Sequence, residues 1–255
     1  MELNFSIMPK EKTIESVLDF QSDGQSFFWR QQLFEVYPFL DKEKGLNPPL
    51  FENRKTYISN TLSDFYDKNQ AIFKEKKEIY IHQWKNNKKD LVNLFSSIFQ
   101  IDCHPLFNDI KVEISLNPIC PRYLAEKRFT VFFKFGPEQF LNTSIHELIH
   151  FIWFYIWQNH FLDNPQEYEA PHLKWLLSEM VIDTLVQCTD LKHFYKIRGS
   201  ETPAYKYFYS IKVENSFILE TVKDFFIKSQ NITEFMNTSY KYLLENKEEI
   251  LNQID

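Results

Sequence analysis

The sequence predicts a single-domain, mainly α-helical α+β protein in which a small β-sheet precedes a long apolar helix. Glycine and proline are scarce, at 4 and 11 of 255 residues, and no Gly/Ser-rich linker divides the chain. Apolar residues recur at helical spacing over most of the sequence, whereas strand-like alternation is concentrated between residues 110 and 135. We therefore expect a helical N-terminal region (about residues 1–105), a core (about 106–190) and C-terminal helices (about 191–255).

The pattern of the N-terminal region indicates a short strand followed by helices. LNFSIMP is the candidate strand, and both TIESVLDF and SFFWRQQLFEVYPFL have apolar residues at helical spacing. From about Lys55 to Gln100 the chain contains neither glycine nor proline, which predicts one long helix or two stacked helices.

Two candidate strands open the core. IKVEISL (residues 110–116) alternates apolar and polar side chains, and RFTVFFKF (128–135) is rich in β-branched and aromatic residues. Gly136 ends the second strand, and Pro137 suits the first position of a helix because its missing N–H needs no partner there. A further helix is predicted from Ala170 to Cys188, in the stretch APHLKWLLSEMVIDTLVQC.

Charge and composition exclude several classes of partner. The net charge of -6 argues against nucleic acid, whose binding surfaces are normally basic. No uninterrupted apolar run reaches the ~18–20 residues that span a bilayer, and the start MELNFSIMPKEK lacks a secretory pattern. Three scattered cysteines do not form a disulfide framework. We expect a cytoplasmic protein without a membrane partner, and the sequence does not predict its oligomeric state.

The stretch FLNTSIHELIHFIWFYIW contains three ionisable residues in an otherwise apolar helix. His146, Glu147 and His150 form the pattern H-E-x-x-H, in which the histidines lie one turn apart on the same helix face. Both rings can therefore reach one metal ion, while Glu147 lies beside the ion and can act as general base and acid on a metal-activated water. Zinc suits these ligands best because it accepts imidazole and carboxylate and leaves a position open.

A catalytic zinc needs a third protein ligand. The extended metzincin pattern is excluded, because Trp153 and Ile156 stand where that pattern has glycine and histidine. The predicted helix 170–188 instead offers Glu179 as a ligand and Asp183, one turn later, as an acceptor for the far ring nitrogen of a ligating histidine. Alternative third ligands are Glu167, Glu169, His160 and His172.

The combination of His146-Glu147-x-x-His150 with Glu179-x-x-x-Asp183 resembles the gluzincin branch of the zincin superfamily of zinc metallopeptidases. The resemblance covers about residues 110–190, and the interval between His150 and Glu179 is longer than in thermolysin-like members. It implies a zincin-like core, with a small β-sheet before the H-E-x-x-H helix.

The resemblance also implies how a substrate would bind. In zincins, the edge strand before the motif helix pairs with an extended peptide, and RFTVFFKF stands at that place in the sequence. Gluzincins place a tyrosine or histidine downstream to stabilise the oxyanion. The candidates for that role are His193, Tyr195, Tyr205, Tyr207 and Tyr209.

We therefore expect a zinc-dependent metallopeptidase that hydrolyses peptide bonds of a peptide or protein substrate, with Glu147 as general base and acid. The alternative from another class is a catalytically inactive zincin-like binding or regulatory module. A structural zinc site is a second alternative, although such sites usually complete four protein ligands. Neither the identity of the substrate nor the choice between endo- and exopeptidase activity follows from the sequence.

Overall fold

A computed structural model describes residues 1–48, 50–161, 165–197, 199 and 201–254. Within this part of the chain, the strands and helices follow in this order: β1 (Leu3–Ile7), α1 (Lys10–Asp19), α2 (Phe27–Val36), α3 (Lys42–Gly45), α4 (Phe51–Lys68), α5 (Gln70–Phe99), α6 (Cys103–Leu106), β2 (Ile110–Ser115), β3 (Arg122–Tyr123), β4 (Arg128–Phe132), α7 (Pro137–Phe161), α8 (Leu173–Cys188), β5 (Lys212–Val213), β6 (Ser216–Phe217), α9 (Ile218–Lys228), α10 (Ile232–Glu245) and α11 (Lys247–Leu251).

Helices make up 64% of the protein and accompany a small mixed sheet, which confirms the mainly α-helical α+β class. Contacts divide the chain into two compact units. The sheet unit comprises residues 2–86 and 108–143, and the helical unit comprises residue 1, 87–107 and 144–255. The expectation of a single domain with three consecutive regions stays a prediction.

The predicted elements of the sheet unit are present, with shifted ends. LNFSI forms β1, and the long stretch without glycine or proline forms two helices, α4 and α5, that meet at Asn69. The Asn69 side chain donates to the carbonyl of Phe65 at 2.6 Å, which ends α4 without a glycine. The strand from Arg128 ends at Phe132 rather than Phe135, because the N–H of Phe135 turns back to the carbonyl of Phe132 at 3.1 Å.

The four-stranded sheet has the order β1-β2-β4-β3. β1, β2 and β4 run parallel, with Phe5 opposite Val112 and Val112 opposite Phe129, whereas β3 runs antiparallel to β4. The expectation that RFTVFFKF provides an edge strand is therefore wrong. β4 lies between β2 and β3, and its burial fits this interior place: the four residues from Phe129 to Phe132 are all buried.

The aromatic side chains of the sheet unit hold the end of β4 in place. Tyr80 of α5 is buried, and its hydroxyl donates to the carbonyl of Phe132 at 2.9 Å. The same ring stacks on Phe140, with centroids 4.5 Å apart and planes 7° apart. These contacts fix the turn from which α7 begins at Pro137, as the sequence predicts.

The helical unit is built around α7 and α8. From Ser144 to Trp157, α7 is buried on nearly all sides, and α8 is buried from Leu173 to Val186 except at Trp175. A helix that is apolar all round belongs in a core, so any polar group on these two helices needs a partner or a ligand. Across the described part of the chain, every helix is too short or too polar to cross a membrane.

Helices joined by loops complete the helical unit, as predicted for about residues 191–255, with one addition. The strands β5 and β6 form a hairpin that the sequence pattern did not predict. Its two turn residues, Glu214 and Asn215, have φ of 50° and 68°. Positive φ at both turn positions matches the twist of a two-residue hairpin loop, but Glu-Asn is a weak sequence signal for it.

Candidate metal centre

The two histidines of the motif face each other across one turn of α7. His146 and His150 are four residues apart, so that helical geometry places both on one face. Their Nε2 atoms are 3.1 Å apart, and the ring centroids are 4.8 Å apart with planes at 68°. The His150 side chain is fully buried, whereas that of His146 is 22% exposed, so the cluster opens toward solvent on the side of His146.

Glu179 comes to this pair from α8. Its Oε1 lies 3.2 Å from His150 Nε2, and its Oε2 lies 3.3 Å from His146 Nε2. Among the described residues, His146, His150 and Glu179 form a group whose ligand atoms all lie within 4.8 Å of one another. The structure therefore brings together the three residues that the sequence analysis chose as ligands.

The donor set fits a zinc ion. With Zn–N and Zn–O bonds of about 2.0–2.1 Å, neighbouring ligands of a tetrahedral ion lie about 3.3 Å apart, close to the spacings between these imidazole nitrogens and carboxylate oxygens. Two imidazoles and a carboxylate also form a frequent catalytic zinc set. Its three protein ligands leave a position for a fourth.

The Glu179 carboxylate is only 3% exposed and sits among the apolar side chains of α8. Burial alone would raise its pKa, but the charge of His150 and the close contacts of both rings outweigh burial and hold the pKa of Glu179 well below its usual range. The carboxylate is thus held ionised, as a metal ligand must be.

Glu147 follows His146 on α7 and is 7% exposed. The helical period turns it by about 100° from His146, so it lies next to the ligand face rather than on it. Its charge helps to raise the pKa of the Tyr195 phenol, as does the charge of Glu179. Glu147 is therefore a buried carboxylate beside the cluster, where the sequence predicts the general base.

Asp183 lies one turn after Glu179 and is 1% exposed. Among the described residues, its carboxylate accepts from the Tyr209 hydroxyl at Oδ1 and from Gln187 Nε2 at Oδ2, the latter at 2.7 Å. The predicted bond from a histidine ring to Asp183 stays a prediction. The Tyr209 and Gln187 contacts were not anticipated, although Gln187, four residues after Asp183, could have been found from helical spacing.

The alternative third ligands lie outside the cluster. Glu167 forms an ion pair with Lys174, at 2.5 Å. Glu169, His160 and His172 have exposed side chains. None of the four belongs to the metal-ligand group found among the described residues.

The five residues proposed to stabilise an oxyanion lie in different surroundings. His193 is 67% exposed and faces Asp190 at 3.6 Å. Tyr209 donates to Asp183, and Tyr205 stacks on Tyr207 with centroids 5.6 Å apart. For Tyr195, burial and then the charges of Glu201, Glu147 and Glu179 raise the pKa of the phenol, so it stays protonated near the cluster. A protonated phenol can donate a hydrogen bond to a developing negative charge.

An aromatic stack supports His150 from behind, and sequence analysis missed it. The His150 ring lies nearly parallel to Phe154, at 6.2 Å and 11°, and Phe154 stacks on Tyr168 at 4.3 Å. Phe154 is four residues after His150, so the first contact follows from helical spacing. The second contact depends on the path of the chain between α7 and α8.

No protein-family model, curated protein or solved structure matches this chain.

Proposed function

We propose that this protein is a zinc metallopeptidase of the gluzincin type, in which His146, His150 and Glu179 hold the ion. The observation that carries the proposal is the convergence of these three donor groups from α7 and α8, with the buried carboxylate of Glu147 next to His146 on α7. A purely structural site has no use for that extra carboxylate beside its ligands.

The residues around the cluster have distinct tasks in this proposal. A zinc ion bound there would lower the pKa of a water molecule and polarise the substrate carbonyl. Glu147 would accept the proton of the attacking water and return it to the leaving amine, because it is buried and next to the ligand face. The phenol of Tyr195 would donate a hydrogen bond to the carbonyl oxygen as negative charge develops there.

Other properties belong to the same proposal. The substrate is a peptide or protein, and a cytoplasmic location accords with three free cysteines. The gluzincin resemblance supports the class of reaction through the motif residues alone. The competing function is an inactive zincin-like binding module, which would retain the ligands but not depend on Glu147.

Cleavage of a quenched-fluorescence peptide library by the zinc-loaded protein tests the proposal. Glu147→Gln should lower kcat/KM by about 10²–10⁴-fold, the usual contribution of a general base, without changing zinc content. Glu169→Gln removes an exposed carboxylate outside the cluster and should cleave like the wild type. Cleavage that survives in Glu147→Gln, or is absent from zinc-loaded wild type, would favour the binding module.

A further inference from the structure

Three residues of α8 lie along one line of the helix. Trp175, Glu179 and Asp183 are spaced by four residues each, so their side chains follow one another along the same face. Glu179 belongs to the metal cluster. Whatever runs beside this face from Trp175 to Asp183 must therefore pass the metal ligand.

The segment from Tyr205 to Tyr209 runs along this face. At one end the Tyr205 ring packs on Trp175, with centroids 5.9 Å apart. At the other end the Tyr209 hydroxyl bonds to Asp183. Between these two contacts the segment forms a short 3-10 helix, Lys206–Tyr209.

Tyr207 therefore lies at the level of Glu179. The position agrees with its electrostatics, because burial and then the charge of Glu179 raise the pKa of the Tyr207 phenol. Tyr207 also stacks on Tyr205, with planes 12° apart. Trp175, Tyr205 and Tyr207 thus form a continuous row of three rings along the face of α8 that carries Glu179.

The row keeps part of its aromatic surface accessible. All three side chains are only half-buried, in contrast to the neighbouring Phe208, which is fully buried and contacts the rings of Tyr205 and Tyr207. Phe208 anchors the segment in the core, while the other three rings stay partly accessible along the helix face that carries Glu179, and the metal cluster opens toward solvent at His146. Partly exposed rings beside a polar site are typical of ligand pockets, which combine apolar walls with a few polar groups.

We propose that Trp175, Tyr205 and Tyr207 form a specificity wall that selects peptides carrying an aromatic or large apolar side chain next to the scissile bond. The inference rests on the proposed zinc site, because the wall acts on a substrate held there. A substrate ring stacks on the row in an offset or edge-to-face arrangement, which adds to the gain from burying its apolar surface.

Two small zinc-binding probes test the wall without requiring turnover. L-phenylalanine hydroxamate and L-alanine hydroxamate carry the same chelating group and differ by one phenyl ring. Their dissociation constants are measured by calorimetry on zinc-loaded protein. The wild type should bind the phenylalanine probe about tenfold more tightly, the scale on which apolar pockets discriminate.

The variants locate the preference. Tyr205→Ala and Tyr207→Ala should lose most of it, whereas Tyr205→Phe and Tyr207→Phe, which keep the rings, should retain it. If an alanine variant fails to fold, the corresponding Tyr→Leu variant keeps apolar volume without the ring and should reduce the preference, because stacking is lost while apolar burial remains.

Each outcome bears on a different claim. Equal binding of the two probes to zinc-loaded wild type, or a preference that persists in both alanine variants, would overturn the wall and leave the zinc site standing. Failure of the wild type to take up zinc would overturn the proposed function, and the wall with it. The preference in peptide cleavage should change among the variants as probe binding does. In Tyr207→Ala the loss should appear in KM more than in kcat.

Discussion

Arg54 in the sheet unit and Glu179 in the helical unit are both buried and ionisable, but the groups that surround the two charges differ. Arg54 is fully buried, and its guanidinium donates to the carbonyls of Pro48 and Gln21, both at 2.8 Å, and to Asp23 Oδ1 at 2.7 Å. Its positive charge is therefore balanced by a carboxylate and two carbonyls of the protein itself. Arg54 is thus a structural residue, which links the chain before α4 to the end of α1.

Glu179 is buried to nearly the same degree, but the groups that face it are two imidazoles. The rings can offset the carboxylate charge only when they are protonated, whereas metal binding requires neutral imidazoles, and a shared cation then satisfies all three groups. The comparison teaches that burial alone does not mark a functional charge. What matters is whether the surrounding groups complete the electrostatics or leave them to a ligand.

The largest expected difference between the two sites is their response to zinc. At free zinc 1,000-fold above its dissociation constant, the ion should add about 4 kcal/mol to the free energy of unfolding of the wild type. Glu179→Gln should lose that increment. Urea unfolding with and without zinc measures both values, and a zinc increment that survives in Glu179→Gln would break the comparison.

Arg54→Met should show the reverse behaviour. Loss of the guanidinium leaves the buried carbonyl of Gln21 and the partly buried carbonyl of Pro48 without this donor, at about 1.5–3 kcal/mol for each hydrogen bond to a charged group. The loss should be the same in the presence and absence of zinc, because Arg54 is not a metal ligand. The same unfolding experiment measures it, and a loss that appeared only in one zinc condition would contradict a structural role.

A smaller effect should follow from the groups around Asp183. Tyr209→Phe removes the hydroxyl that bonds to this carboxylate, and Asp183→Asn removes its charge. If Asp183 supports a ligating histidine, zinc affinity should fall by about 10–100-fold, as for other residues behind metal ligands. Competition with a coloured chelator gives the affinities, and Ser210→Ala, next to Tyr209 but exposed, is a matched control. Unchanged affinity in both variants would remove Asp183 from the metal site.

The smallest expected effect is a pH dependence at Asp23. The hydrogen bond from Arg54, and then that from the N–H of Phe51, holds the pKa of Asp23 below its ordinary value. A lowered folded-state pKa means that the contribution is present above the unfolded value of about 3.9 and is lost as the pH falls further. Unfolding between pH 6 and pH 2.5 should show a loss of stability below about pH 4 that is reduced in Asp23→Asn. An identical acid slope in both proteins would exclude Asp23 as its source.

The pair of histidines in the candidate metal cluster could be predicted from the sequence because their geometry is local. His146 and His150 share a helix face in any fold in which residues 137–161 are helical. The position of Glu179 in an apolar helix already indicated a buried carboxylate. That Glu179 faces the two histidines did not follow from apolarity, which left Glu167, Glu169, His160 and His172 open, and was expected from the resemblance to gluzincins.

Features that depend on long-range pairing could not be predicted in the same way. The interior place of β4 follows from the antiparallel addition of β3, a two-residue strand with no alternation to detect. The contacts of Tyr209 with Asp183 and of Tyr205 with Trp175 join residues about 26–30 positions apart through an irregular segment. Periodicity carries no information on how such a segment returns to a helix.

Zinc stoichiometry, by mass spectrometry of the intact protein under native conditions, tests the central claim most directly. Wild type and His160→Ala, which changes an exposed histidine, should each hold one zinc ion, while His146→Ala, His150→Ala and Glu179→Ala should lose it. Absence of metal from wild type supplied with zinc at neutral pH would contradict the account. So would full retention of zinc by Glu179→Ala, since the third ligand would then lie elsewhere.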